Sequence, residues 1–379
     1  MLVNENNSNN TIIIGAGPAG LAVAARLKKA NITFIMLEQS NNVGNSWHNH
    51  YDRLHLHTVQ KYSTLPFVDF PKDYPFYVPR QKLVEYMENY AKQFNIQAKF
   101  NQEVISVKKE NGKWITKTQT GEIFSSYNVV VATGINRKPF FPSWEGIENF
   151  KGKIVHSKYY KNGKDYKGKK VLVIGMGNTG AELAIDLYEH GAIPFISVRE
   201  NVNLIPRDFI GLPCQTSAFM LSKFPNWMGD FIGLRVRNIS FGDLSPYGLK
   251  LRQKAPLAQV REEGKVPVID IGTVDLIKKG QVKVLPGIKK FSQDSILFFN
   301  NEEIKLDAVL VCTGYKSNIT DFIEDAESII DADGNPKEIC SSNKHKGLYF
   351  LGFDPRVNGV LWSIKKDSEI IVDEILKKQ

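Results

Sequence analysis

The chain has 379 residues, which at about 150 residues per domain predicts two or three domains. Apolar residues make up 42% and charged residues 23%, which excludes the collagen-like, disordered and disulfide-scaffold classes. Lys and Arg outnumber Asp and Glu by 49 to 40, a net charge of +9 that suits an anionic ligand or an ordinary solvated surface, and no basic tail or aromatic-interleaved basic stripe points to nucleic acid.

In chain order, Met1 to Asn10 is polar and Asn-rich and reads as a frayed tail without the apolar core of a secretory signal. Thr11 to Ile14 is a short β-branched run that enters Gly15-Ala-Gly17-Pro18-Ala19-Gly20, and Leu21 to Ala30 then reads as a helix. Strand, glycine turn and helix is the context that G-x-G-x-x-G requires. Gly15 permits the tight turn, Gly17 lets a pyrophosphate approach the backbone, and Gly20 lets helix and strand pack closely. The next apolar run, Ile32 to Leu37, ends in Glu38, 23 positions after Gly15, where a ribose-binding carboxylate belongs.

The unit recurs. Val171 to Ile174 enters Gly175-Met-Gly177-Asn178-Thr179-Gly180, followed by a helix over Ala181 to His190. The strand Pro194 to Val198 then ends at Arg199, 24 positions after Gly175. An acid in this slot accepts hydrogen bonds from ribose hydroxyls, whereas an Arg pairs with a 2′-phosphate. The first turn is therefore expected to bind FAD and the second NADPH. Val129 to Gly134 and Val309 to Gly314 both end an apolar strand in Thr-Gly, namely Thr133-Gly134 and Thr313-Gly314, and they flank the second turn.

The expected fold is thus α/β: two Rossmann-like dinucleotide-binding domains, the second inserted into the first. Residues 1–145 and 310–379 form the FAD domain, and 146–309 the NADPH domain with an apolar insertion at about 209–250. Pro139, Pro142, Gly146, Gly152 and Gly163 punctuate the outgoing link. Phe209 to Leu234 is rich in Phe, Leu, Met and Trp but is interrupted by Lys223, Pro225 and Asp230, so it is not a membrane span. It reads as the wall of a substrate tunnel, as core, or as a membrane-surface contact. Gly347 to Phe353 is a strand entering a turn, and Asn358-Gly359 precedes a helix from about Val360. The positive end of such a helix can stabilise an anionic flavin. Cys214, Cys312 and Cys340 form neither a C-x-x-C pair nor a metal set, which favours a reducing, cytoplasmic setting.

Phe150-Lys-Gly152-Lys-Ile-Val-His156-Ser-Lys-Tyr-Tyr160 matches the pattern F-x-G-x-x-x-H-x-x-x-Y/F. With Gly44-Asn-Ser-Trp47, Tyr51 to Thr58 and Cys312-Thr-Gly-Tyr315, it resembles the class B flavin-dependent monooxygenases of the flavin-containing monooxygenase family. Val198-Arg-Glu200, Leu204-Ile-Pro-Arg207, Phe241-Gly-Asp243, Lys265 to Thr273 and Tyr315-Lys-Ser-Asn318 are similar to the YUCCA-type branch and its bacterial relatives.

The resemblance implies an enzyme in which NADPH reduces FAD and the reduced flavin takes up O₂ as a (hydro)peroxide. One oxygen atom then passes to a small organic substrate. Oxidative decarboxylation of a 2-oxo acid such as indole-3-pyruvate, S- or N-oxygenation, and Baeyer–Villiger oxidation are all within the class. It places Gly44, Trp47 and Thr58 near the flavin, gives His156 a bracing role, and puts His57 in a slot that holds Asn in animal-type members. His57 is thereby the one candidate catalytic side chain. Gln39, Val104, Thr133, Gly134, Thr313, Gly314, Gly352 and Gly359 complete the cofactor-binding set. No metal is expected, and a homodimer would be unsurprising. The alternative is an NAD(P)H-dependent flavin oxidoreductase, oxidase or redox sensor without oxygen transfer.

Overall fold

The computed structural model describes residues 8–354 and 358–377. The N-terminal tail expected over residues 1–10 lies outside the described residues up to Asn7. Its last three residues instead extend the first strand, because their backbone pairs in register with a neighbour, Ser8 opposite Ser125 and Asn9 opposite Ser126.

The first sheet is built around β1 (Ser8–Ile14). Parallel β1, β2 (Phe34–Leu37) and β3 (Ala98–Lys99) run outward on one side. On the other side stands β6 (Ile123–Val131), whose first half pairs antiparallel with β5 (Lys113–Thr118), itself paired to β4 (Val104–Glu110). The second half of β6, Val129–Val131, pairs in parallel with Leu348–Phe350. The C-terminal segment therefore closes the sheet begun by the N-terminal one.

Apolar residues of α1 (Pro18–Lys29), Leu21 to Ala25 with Leu27, are buried without exception. They pack with α3 (Arg80–Gln93) and the C-terminal helix on one face of the sheet, and α2 (Asn45–Asn49) lies beside α3. Trp114, Phe124, Phe322 and Phe353 fill the opposite face.

The link out, β7 (Lys138–Pro139), pairs antiparallel with the link back, Tyr315–Lys316. Between them lies a five-stranded parallel sheet. Its order is Lys283–Leu285, β10 (Ile193–Ser197), β9 (Lys170–Ile174), Ala308–Val311 and β8 (Lys153–His156). The strand Ala308–Val311 spans the boundary expected at 309/310. It belongs whole to the second sheet, where Leu310 stands opposite Val173 and Val155. All four of its residues pair with β8 and β9, so the chain returns to the first unit only after Val311.

α4 (Asn178–Glu189) joins β9 to β10, and α5 (Cys214–Leu221), α6 (Asn226–Phe241), α7 (Pro256–Glu263) and α8 (Thr273–Lys278) follow β10. The C-terminal helix is α9 (Val360–Leu376). The apolar stretch Phe209 to Leu234 is not core: α5 buries no residue fully, and Ile210, Leu212, Trp227 and Phe231 are exposed, whereas Phe241, Leu244 and Leu249 beyond it join the core of the second sheet. Among the described residues no helix is long and apolar enough to cross a membrane.

Candidate functional site

The two glycine turns are geometric copies. Gly15 has φ +106°, and a Cβ there would stand 2.7 Å from the carbonyl oxygen of Ala132 at the end of β6. Gly175 has φ +98°, and its Cβ would stand 2.8 Å from the carbonyl oxygen of Cys312. At Gly20 and Gly180 a Cβ would fall 2.0 Å from the carbonyl oxygens of Gly15 and Gly175 respectively. Gly17 and Gly177 cap α1 and α4, and a Cβ at either meets nothing within 4 Å. The first and third glycines of each turn are thus required by the protein itself. The middle one faces open space, where a ligand can approach. Pro18 and Ala19 open α1, whose first turn holds no acid to neutralise its positive end.

Glu38 is buried beneath the first turn. One carboxylate oxygen accepts the amide of Ala16 at 2.7 Å, and the other accepts the amide and hydroxyl of Ser40. A cleft of about 470 Å³ opens over Gly15, Gly17, Glu38, Gln39, Val104 and Thr133. These six residues, spread over the first 133 positions, come together. Arg137, Lys158 and Lys161 also line the cleft, which gives part of the positive charge a location. Burial holds the Lys158 ammonium below its ordinary value, as does nearby Arg137. Burial also lowers Lys161, with Arg80 adding to it. An anion in the cleft would relieve both.

In the second turn Asn178 is committed to the fold: its side-chain oxygen accepts the amide of Ile269 at 2.7 Å. Arg199 lies two residues past β10, with its side chain 80% exposed and, among the described residues, paired only to Glu200. An exposed pair of neighbours is weak enough to yield to a phosphate.

Thr58 and Gly359 meet. Gly359 caps α9 with φ +90°, and a Cβ there would stand 2.6 Å from the Thr58 methyl. Gly352, at φ +89°, borders a second cleft of about 600 Å³, and a Cβ there would stand 3.3 Å from the Ala19 methyl. Gly352 thus sits between Ala19 at the start of α1 and Ile364 of α9, whose side chain stands 3.7 Å from the same Cβ. Gly44 has a packing duty: a Cβ there would strike the Met87 methyl at 2.6 Å. Trp47 is half-buried against the same core and lies edge-on to His50.

His156 braces the two links. Its Nδ1 accepts the Lys158 amide, so its Nε2 carries the hydrogen and donates to the Gly314 carbonyl at 3.1 Å. The ring sits between Phe141 and Tyr315, each 5.1 Å away. The Thr313 hydroxyl donates to the Phe140 carbonyl, and Gly134 and Gly314 take positive φ at the two strand ends. Phe140, Phe141 and Tyr315 thus tie the outgoing link to the returning one.

His57 faces the second unit. Its Nε2 bonds the carboxylate of Glu182 on α4, a residue not foreseen from the sequence. α4 carries three acids, Glu182, Asp186 and Glu189, and nothing in their spacing singles out Glu182. Gln215 was also missed. It accepts the Val59 amide at 2.8 Å and donates to the Asn358 carbonyl at 2.6 Å, which fastens α5 over the Thr58–Gly359 meeting point. No sequence pattern distinguishes this glutamine from a surface one.

The residues fit a dinucleotide. The Thr133 hydroxyl is buried in the cleft wall with no hydrogen-bond partner among the described residues. The space over Gly17 is open, and basic groups surround it. A family profile described as pyridine nucleotide-disulphide oxidoreductase matches residues 12–203. Over 373 residues the chain is 38% identical to the "probable indole-3-pyruvate monooxygenase YUCCA4" of Arabidopsis thaliana, covering 97% of this chain and 90% of that one. It is also 38% identical to the "indole-3-pyruvate monooxygenase YUCCA6" of the same plant, over 97% of this chain and 92% of that one. The solved flavin-containing monooxygenase of Stenotrophomonas maltophilia has the same fold, with a TM-score of 0.75 at 17% identity, covering 98% of this chain and all of that one. The chain belongs to the flavin-dependent monooxygenases, with YUCCA-type enzymes among its relatives, and is an NADPH-dependent oxidoreductase of that family.

Proposed function

We propose that the chain oxidatively decarboxylates a 2-oxo acid, with indole-3-pyruvate as the first candidate. The supporting observation is 38% identity over nearly the full chain to enzymes named for that substrate. The balanced reaction takes the 2-oxo acid, O₂, NADPH and a proton to the carboxylic acid one carbon shorter, CO₂, NADP⁺ and water. The flavin supplies electrons to O₂, which side chains cannot do alone.

FAD is the flavin of this reading. Gly15, Gly17, Pro18, Ala19 and Gly20 take its pyrophosphate, Glu38 and Gln39 its ribose side, and Val104, Thr133 and Gly134 the wall. Thr58, Gly352 and Gly359 lie toward the flavin ring, where the positive end of α9 favours its reduced, anionic form. Gly177, Thr179 and the α4 N-terminus hold NADPH, and Arg199 takes its 2′-phosphate. Residues 1–145 with 313–379 form the flavin unit, and the segment between them forms the nicotinamide unit. A cytoplasmic setting agrees with Cys214 and Cys312 being free thiols.

The test is a product assay with indole-3-pyruvate, phenylpyruvate, an organic sulfide and a tertiary amine, with NADPH, O₂ and hydrogen peroxide balanced. Acid and CO₂ from the oxo acids, with little peroxide, is the expected result. Sulfoxide or N-oxide alone would move the substrate class. Oxygen recovered wholly as peroxide with every substrate would leave an oxidase.

A further inference from the structure

The segment 51–58 is shared between the two units. Tyr51 is buried in the core of the second unit with Met176, Leu183 and Ala184, and Leu54 packs there too. Leu56 is buried in the core of the first unit. Tyr51 and Leu54 face the core of the second unit and Leu56 that of the first, so this strap has a foot in each core. Backbone bonds hold both sides: the Asp52 amide donates to the Lys161 carbonyl, and the Leu56 amide to the Val78 carbonyl.

Near the end of the strap His57 bonds Glu182, across 125 positions of chain. Glu182 stands five residues past Gly177, about 7 Å along α4 from the second glycine turn. Its side chain is 2% exposed. Its second oxygen is buried and makes no hydrogen bond of good geometry. Burial and Glu182 raise the Tyr51 hydroxyl well above its ordinary value, and Thr179 of the turn also bonds that hydroxyl. A buried carboxylate costs stability even when paired, and an apolar residue of similar size would pack with less penalty. Its presence therefore calls for a reason beyond packing.

We infer that Glu182 is a positioning residue for the reduction of the flavin by NADPH: from the nicotinamide-side helix it holds His57, and with it the adjoining Thr58, in one register against the start of α9. An ionised carboxylate only accepts, so His57 Nε2 carries the hydrogen and the ring orientation is fixed from the far unit. The bond adds a buried side-chain tie between the two turns to the core packing and backbone bonds that the strap already makes. Hydride transfer requires placement to within a fraction of an ångström. The inference rests on the assignment of the flavin to the first turn and NADPH to the second.

The test uses Glu182→Leu, which fills the volume without the charge, with Glu182→Gln and His57→Leu beside it. Stopped-flow bleaching of the flavin by saturating NADPH without oxygen is measured together with NADP⁺ affinity, flavin content and the melting midpoint. Hydrogen exchange of residues 52–59 is followed in flavin-free protein. Glu182→Leu is expected to keep its flavin and its midpoint, to slow bleaching about tenfold or more, and to quicken exchange in the strap while β9 is unchanged. His57→Leu slows it equally, the double variant is no slower than either, and Glu182→Gln, which keeps an acceptor, stays within about threefold of the parent. Unchanged bleaching in Glu182→Leu, or slowing in step with lost flavin or a lower midpoint, overturns the inference. If Glu182→Leu does not fold, His57→Leu decides alone: unchanged bleaching there refutes the pair. Failure of NADPH to bleach the parent protein would instead overturn the underlying cofactor assignment.

Discussion

Arg199 and Glu38 occupy corresponding slots after their glycine turns, and their environments differ as their proposed partners do. Glu38 is buried and receives three hydrogen bonds from its own chain, so it holds the turn together as well as facing the cleft. Arg199 is exposed and, among the described residues, tied only to its neighbour Glu200. Arg199→Ala should leave the fold untouched. A charge-assisted contact of about 1.5–3 kcal/mol would be lost, so KM for NADPH should rise roughly 10- to 150-fold while KM for NADH stays level. Equal rises for both coenzymes would count against the 2′-phosphate role. Both residues were legible in the sequence because spacing from a glycine turn fixes where the next strand ends. Glu182 and Gln215 were not, since their partners lie 125 and 143 residues away and no local pattern encodes such pairs.

The strand–turn–helix unit separates two duties of glycine, and two substitutions should separate them in the laboratory. Gly17→Val puts its side chain into open space, so the protein should fold with the melting midpoint of the flavin-free parent yet emerge colourless. Gly20→Ala sets a methyl 2.0 Å from the Gly15 carbonyl, a backbone atom that cannot step aside cheaply. It should lower the midpoint or the soluble yield even without flavin. A yellow Gly17→Val protein would remove the first turn from the cofactor site. Among elements, the turns and their helices were readable because hydrophobic run, glycines and helix formers agree. The insertion was read less well. Its apolar residues show no clean helical face, and α5 and α6 leave Trp227 and Phe231 in solvent. Composition there says apolar, and only the fold says exposed.

At the scale of the whole molecule, the nested topology was visible in the mirrored Thr-Gly strand ends. The return point was placed inside the strand Ala308–Val311 because an apolar strand carries no mark of the sheet it joins. The strap 51–58 was visible only as a family signature, and its place in two cores depends on contacts far apart in the chain. Histidines whose protonation burial disfavours make stability sensitive to mild acid. Burial, then Arg80 and Lys161, holds His50 down from 6.5 to about 4. Burial also lowers His156, against the opposing Gly314 carbonyl, and lowers His345, aided by Lys344. For each, the unfolded chain takes up the proton first as pH falls, so stability present above about 6.5 is lost on the way down through the folded value. Exposed Glu263, held near 2 by Lys254 and Arg252, acts only below this window, and Asp270, raised by burial, works in the opposite sense. The melting midpoint should therefore fall from about pH 7 to about pH 5, before carboxylates contribute. His50→Gln, which cannot take up a proton, should shallow that fall. A variant with the parent's slope would place the acid sensitivity elsewhere in the molecule.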